Sequence, residues 1–293
     1  SRAERAVINA RYGIAHKLGL ALHIGFLRLS GCSLKSIRMV PAVLWAHLGR
    51  ELGVTPPEVA SLKAMYGRGR TLFEHQKLAQ EALGFHWMTD HQRRAFVRAL
   101  RNEVTRLGDK DQLLAFAQRW LYEHTLLIEH DRALRTQIGA ALDLFETETG
   151  AAIATTVPLE LMGKWRGALA QMRPDGQSQQ SWLWEAPAKH STVQISQVFE
   201  RIDLLYSLDV QQHLTELSDV TVRRYARHLA SRPPSVGARI KEPRRSVETA
   251  CFLRYSLLTA TDQAILMIQR RVADLWRLAR EGVPDTVNWA DLY

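Results

Sequence analysis

The chain has 293 residues, with 39 Lys and Arg against 30 Asp and Glu, for a formal net charge of +9 with histidines neutral. A composition of 46% hydrophobic and 24% charged residues is that of an ordinary folded protein and excludes disordered, collagen-like and mucin-like chains. Its two cysteines, Cys32 and Cys251, exclude a disulfide framework and a multi-cysteine zinc site, which makes a reducing compartment the default.

Apolar residues recur at helical spacing almost throughout and no run of alternating β-branched residues appears, so the expected fold is all-α and multi-helix. Ser1, Arg2, Glu4 and Arg5 open the chain without an initiator methionine or a signal-peptide succession, which reads as a piece excised from a longer polypeptide. The most apolar stretch, 14–29, is interrupted by His16, Lys17, His23 and Arg28 and cannot cross a bilayer cheaply. No membrane partner is expected.

Residues 44–64, LWAHLGRELGVTPPEVASLKA, have the spacing of a helix-turn-helix. Gly49 is the small residue where the helices cross, Gly53 the left-handed turn, and Leu48, Leu52, Val54, Val59 and Leu62 the apolar anchors. Thr55 is expected to cap the second helix, with Pro56 or Pro57 in its first turn. Thr55, Glu58, Ser61 and Lys63 then face solvent or a major groove, with Thr55, Ser61 and Lys63 the candidate contacts. Two core helices joined by a tight turn would give the same pattern.

The stretch GRGR at 67–70 follows, offering Arg68 and Arg70 to phosphates or a minor groove. Thr71 and Glu74 form the pattern of a capping box for the next helix, which carries His75 and Lys77 and should stop at Gly84. Upstream, Lys35 and Arg38 add to the same basic region. Thr89 or Asp90 is placed to cap a further helix on which Arg94, Arg98 and Arg101 share one face opposite Phe96 and Leu100. Such a stripe is also what a merely solvated face looks like. Asp109 or Asp111 caps the helix after it.

The strongest interruption is the turn chemistry of Arg173, Pro174, Asp175 and Gly176 running into glutamines. It divides the chain into a first helical unit (1–88), a connecting helical segment (89–176) and a second helical unit (177–293). Charge follows this organisation. Residues 1–90 hold 12 basic and 6 acidic residues, 91–170 hold 11 and 10, and 171–293 hold 16 and 14. Within the last, the stretch 223–245 holds eight basic residues against Glu242 alone. Arg223, Arg224, Arg227, Arg239, Lys241, Arg244 and Arg245 are its candidate contacts, and a polyanion would relieve their mutual repulsion.

Catalytic constellations are poor. There is no H-E-x-x-H, no metal-spaced histidine set, no glycine-rich phosphate loop and no cluster of aspartates for magnesium. Glu146 and Glu148 read as solvated, and Cys32 as a small buried hydrophobe.

The run KLGLALHIGFLR at 17–28 strongly resembles a run near the start of replicative transposases of the Tn-three family, R-L-G-F-A-L-Q-L-x-x-L-R. The match continues through VP at 40–41, LGV at 52–54, TLFEH at 71–75 and LGF at 83–85, and more weakly through Leu183 and Trp184, the stretch 223–229, and Thr261 and Asp262. It departs from the family run at His23 and Gly25. The resemblance implies sequence-specific binding of double-stranded DNA at the terminal inverted repeats through two helical units. Cleavage and strand transfer would belong to an RNase-H-like Asp-Asp-Glu domain, with Mg2+, lying outside this chain. This chain is accordingly expected to be non-catalytic and free of cofactors, to sit in a bacterial cytoplasm on nucleoid DNA, and to meet other transposase subunits. The rival reading is a helical protein-interaction scaffold with a basic surface.

Overall fold

In the computed structural model the described residues are 1–35, 40–67, 69–107, 109–213 and 217–281. Among them every regular element is a helix. In chain order these are α1 (Arg2–Asn9), α2 (Ile14–Ser30), α3 (Ala42–Leu52), α4 (Val59–Tyr66), α5 (Arg70–Leu83), α6 (Asp90–Val104), α7 (Lys110–Glu123) and α8 (Asp131–Thr156). They continue as α9 (Leu159–Ala170), α10 (Gln179–Trp184), α11 (Thr192–Ser207), α12 (Val210–His213), α13 (Asp219–Ala230), α14 (Pro234–Gly237) and α15 (Arg244–Glu281). Extended pairing among the described residues is limited to two isolated bridges, His86 with Leu126 and Met172 with Ser178. The all-α expectation is met, and no described helix is long and apolar enough to cross a membrane.

The chain divides into two compact units, and the division falls inside α8, between Ala141 and Leu142. Unit 1 comprises Ser1–Val104 and Asp109–Ala141. Its centre is α2, in which Leu18 to Ile24 are all buried. A helix apolar on every side must be wrapped, and α1, α3, α4 and α5 pack around this one. Leu18 and Leu20 are fully buried, each contributing about 1.5–3 kcal/mol. Gly84 ends α5 in the left-handed conformation, as its position predicts. At the start of α6, Thr89 Oγ1 accepts from Gln92 N–H while the Gln92 side chain accepts from Thr89 N–H, a reciprocal cap. Asp109 caps α7 through the N–H groups of Asp111 and Gln112.

The capping box expected at Thr71 and Glu74 does not form. The helix begins at Arg70, two residues before the start that a Thr71 cap would give, after Gly69 at φ 69°. Glu74 turns instead to Arg70, 3.2 Å away.

Unit 2 runs from Leu142 onward, with the short stretch that begins at Thr105. Its core is built from Trp165, Tyr225 and Phe252, with Leu205, Val247 and Leu253 around them. The indole of Trp165 donates to Leu208 O at 2.7 Å, so the largest core side chain also fixes the end of α11. The 38-residue α15 packs along α13 and α11. Residues 173–178 form a tight turn, with Arg173 N–H donating to Gln177 O and Gly176 at φ 81°.

Candidate nucleic-acid interface

In unit 1, α3 and α4 are joined by a turn in which Gly53 takes the left-handed conformation, φ 65°. Leu62 is fully buried, and Leu48, Leu52, Val54 and Val59 pack around it with Trp45. All five expected anchors therefore meet in one cluster. Two details differ from expectation. What crowds Gly49 is the turn itself, since a Cβ there would lie 2.8 Å from Pro56 Cδ and 2.9 Å from Val54 O. The second helix starts at Val59 with no side-chain cap, so Thr55 stays on the turn. The Trp45 indole, donating to Pro57 O at 2.6 Å, holds the turn where a Thr55 cap was expected to. Thr55, Ser61 and Lys63 are exposed.

His75 is fully buried and does not reach solvent, which removes it from the candidate contacts. It stands in a polar cluster. The Tyr66 hydroxyl is 2.7 Å from His75 Nδ1, and His16 Nδ1 is 3.4 Å from His75 Nε2. His23 stacks edge-on against Tyr66 and His75, and its Nε2 is buried without a hydrogen-bond partner. Burial drives His75 down to about 3, helped by repulsion from His23, His16 and Arg11, and drives His23 down to about 4.

The remaining unit 1 candidates lie on the surface. Arg70 is exposed though tied to Glu74, and Lys77 is exposed 3.8 Å from Glu81. Lys35 is exposed, as are Arg94, Arg98 and Arg101 along α6, opposite the buried Phe96 and Leu100. Arg38 and Arg68 lie outside the described residues.

Unit 2 sorts its basic stretch into two groups. Arg223, Arg227, Arg239 and Lys241 are exposed. Arg244 and Arg232 turn inward onto Glu248, which is fully buried. Arg244 Nε lies 2.8 Å from one carboxylate oxygen and Arg232 Nη1 2.5 Å from the other. Glu146, read as solvated, is buried and accepts from the Tyr225 hydroxyl at 2.9 Å, with Arg244 at 3.9 Å. Arg224 is half-buried, its guanidinium 4.9 Å from the Tyr225 ring centroid and its Nε shielded from water. Arg244 and Arg224 are thus spent on the interior. Burial and the neighbouring Arg244 also lower the His228 imidazole below its ordinary range. Glu242 binds Arg166 at 2.6 Å and accepts from Ser246, which holds its carboxyl below the usual value despite partial burial. Arg245 is half-buried at the edge of a small cavity. Among the described residues no group of three or more His, Cys, Asp or Glu could hold a metal.

Residues 1–140 match the family described as Domain of unknown function (DUF4158). Over 99% of its length the chain is 63% identical to the transposase for insertion sequence element IS1071 in transposon Tn5271 of Comamonas testosteroni, of which it covers 30%. It is 26% identical, over 94% of its length, to the transposase for transposon gamma-delta of Escherichia coli, and 22% identical, over 96%, to the transposase for transposon Tn1546 of Enterococcus faecium. It covers 28% of each of those two. The chain therefore spans under a third of the length of the curated relatives it matches. The expectation that it is non-catalytic is corrected by the first match: nearly the whole chain aligns with a protein named as a transposase. Catalytic motifs missing from under a third of such a protein do not make it a non-enzyme. The chain is thus similar to these three transposases over nearly all of its length, and its residues 1–140 match the DUF4158 family.

Proposed function

We propose that this chain binds double-stranded DNA at the terminal inverted repeats of a replicative transposon, as the DNA-recognition part of a transposase acting with other subunits on nucleoid DNA. The observation that carries this reading is the outward placement of Arg223, Arg227, Arg239 and Lys241 in a stretch whose other arginines are neutralised inside the fold. Cations kept exposed and unneutralised are what a phosphate backbone attracts. In unit 1, Thr55, Ser61 and Lys63 on the α3–α4 pair and the Arg94, Arg98 and Arg101 face of α6 supply a second surface. The α3–α4 pair acts as a helix-turn-helix, with α4 entering a major groove. Two footprints raise each other's effective concentration, so two modest surfaces suffice for a long site. Cleavage, strand transfer and the Mg2+ they use belong to the same reading of the whole protein.

Counting the four exposed cations of unit 2 with Arg94 and Arg98, about six phosphates are neutralised, and log K against log salt has a slope of about −5. Fluorescence anisotropy of a labelled terminal-repeat duplex over a salt series measures it. A flat response overturns the proposal.

A second reading, a protein-interaction scaffold, is favoured by one observation: Ile265, Ile268, Val272 and Leu275 are all exposed along the later part of α15. The charge reversals Arg223→Glu and Arg227→Glu separate the two. DNA affinity falls under the first reading. Under the second it stays while self-association falls.

A further inference from the structure

We propose that unit 2 contains an oxyanion site, sized for one phosphate group, bordered by α9, α10, α13, α14 and α15. A cavity of about 60 Å³ lies there, lined by Arg166, Gln180, Arg245 and Thr249 with Leu169 and Leu229 in its apolar wall. That is several times the ~10–15 Å³ that a single water needs, and it is room for one tetrahedral oxyanion.

The charged residues of a largely apolar lining are both cations. Two arginines line the cavity and no carboxylate does. Arg166 is anchored at one end, where Nη2 donates to Glu242 Oε1 at 2.6 Å and to Ser246 Oγ at 2.9 Å. Its Nε is buried with no hydrogen-bond partner. A buried donor left unmade is costly, and an anion oxygen in the cavity would satisfy it. Arg245 is the counterpart on α15. Its chain neighbour Arg244 turns to the buried Glu248, whereas Arg245 is a lining residue of the cavity. Thr249 Oγ1 donates to Arg245 O at 2.8 Å, and Gln180 Nε2 donates to both Leu229 O and Arg232 O. Arg166, Gln180 and Thr249 are therefore held in place by hydrogen bonds before any ligand arrives, which lowers the ordering cost of binding.

Charge balance selects the ligand class. Glu242 offsets Arg166 from outside the cavity, so the two guanidiniums together leave about one uncompensated positive charge. A phosphate monoanion matches that, and apolar walls strengthen its attraction to the guanidiniums. The phosphate comes either from a nucleic-acid backbone or from solution as inorganic phosphate. The first source rests on the DNA-binding reading above, and the second does not.

Inorganic phosphate titrated into the full chain at constant ionic strength, followed by phosphorus NMR line broadening and by thermal melting, tests the site. Saturable broadening is expected, together with a rise in melting temperature through ligand linkage. Arg245→Gln weakens phosphate binding by about tenfold or more, the loss expected for a charge-assisted pair. The exposed Arg119→Gln leaves it unchanged, and Arg245→Lys recovers part of it. Arg166→Gln also breaks the link to Glu242, so Arg245→Gln is the deciding variant. No saturable binding up to tens of millimolar, or equal binding by Arg245→Gln and the unmodified chain, overturns the site. A terminal-repeat duplex then identifies the source. If Arg245→Gln weakens the duplex as well and phosphate competes with it, the ligand is a backbone phosphate. If only phosphate binding falls, the site stands with free phosphate as its ligand. Intact phosphate binding with no duplex binding at all sinks the DNA reading and leaves the site.

Discussion

Each compact unit buries a polar cluster in its core, and the two clusters are built on opposite principles. Unit 1 assembles His16, His23, Tyr66 and His75, and burial keeps His23 and His75 neutral by driving their pKa values down. Unit 2 assembles Arg232, Arg244, Glu146 and Glu248, in which charges are retained because each finds an opposite. The lesson is about where cations become available. A neutral cluster uses none of its unit's arginines, whereas the ionic one consumes two members of the basic stretch and decides which of the others face outward.

The largest expected effect comes from breaking the ionic cluster. Glu248→Gln keeps the shape but takes the counter-charge from Arg232 and leaves Arg244 only the more distant Glu146, 3.9 Å away. Removing one partner of a buried pair costs about 3–5 kcal/mol. The two arginines are 28% and 38% exposed, so the lower end, about 3 kcal/mol, is expected in urea unfolding followed by circular dichroism. A loss under about 1 kcal/mol would mean that the cluster is not ionic in the sense argued.

A smaller effect sharpens the contrast. Each cluster contains a tyrosine that donates or shares one hydrogen bond: Tyr225 to the Glu146 carboxylate at 2.9 Å, and Tyr66 to His75 Nδ1 at 2.7 Å. Hydrogen bonds to charged groups are worth about 1.5–3 kcal/mol, and neutral ones about 0.5–1.5 kcal/mol. Tyr225→Phe should therefore cost more than Tyr66→Phe in matched urea melts. The reverse order would contradict the assignment of charge to one cluster and neutrality to the other.

What is legible in the sequence is what is decided within a turn or two of chain. Gly53 and Gly84 mark helix ends because only glycine takes the left-handed conformation cheaply, and Asp109 marks a start because its carboxylate reaches only its own next residues. The basic stretch misleads for the opposite reason. Counted along 223–245 it has one acid, yet the carboxylates that neutralise it, Glu146 on α8 and Glu248 on α15, lie outside that window. His75 misleads because its neighbours Glu74 and Lys77 are surface residues, and a single histidine carries no sign of which face it occupies. Trp45, whose indole fixes the α3–α4 turn, gives no signal because its acceptor is a backbone carbonyl twelve residues away.

The smallest effect at neutral pH is at His23, and it tests the neutral cluster through its acid response. His75 and His23 hold folded values of about 3 and about 4, below the ordinary 6.5 that each recovers on unfolding. The unfolded chain therefore binds more protons between these limits. The stability of unit 1 is full above about pH 6.5 and falls progressively as the pH drops through the folded values. His23→Leu removes one of these groups together with a buried Nε2 that has no partner. At pH 7 the substitution is expected to change stability by no more than about 0.5 kcal/mol, or to raise it slightly, because a similar apolar volume replaces an unsatisfied polar atom. Near pH 4.5, by contrast, the variant should resist urea better than the unmodified chain, since one proton fewer is taken up on unfolding. Parallel acid limbs for the two proteins would show that His23 is not held neutral by the fold, and the contrast between the clusters would then rest on His75 and Tyr66 alone.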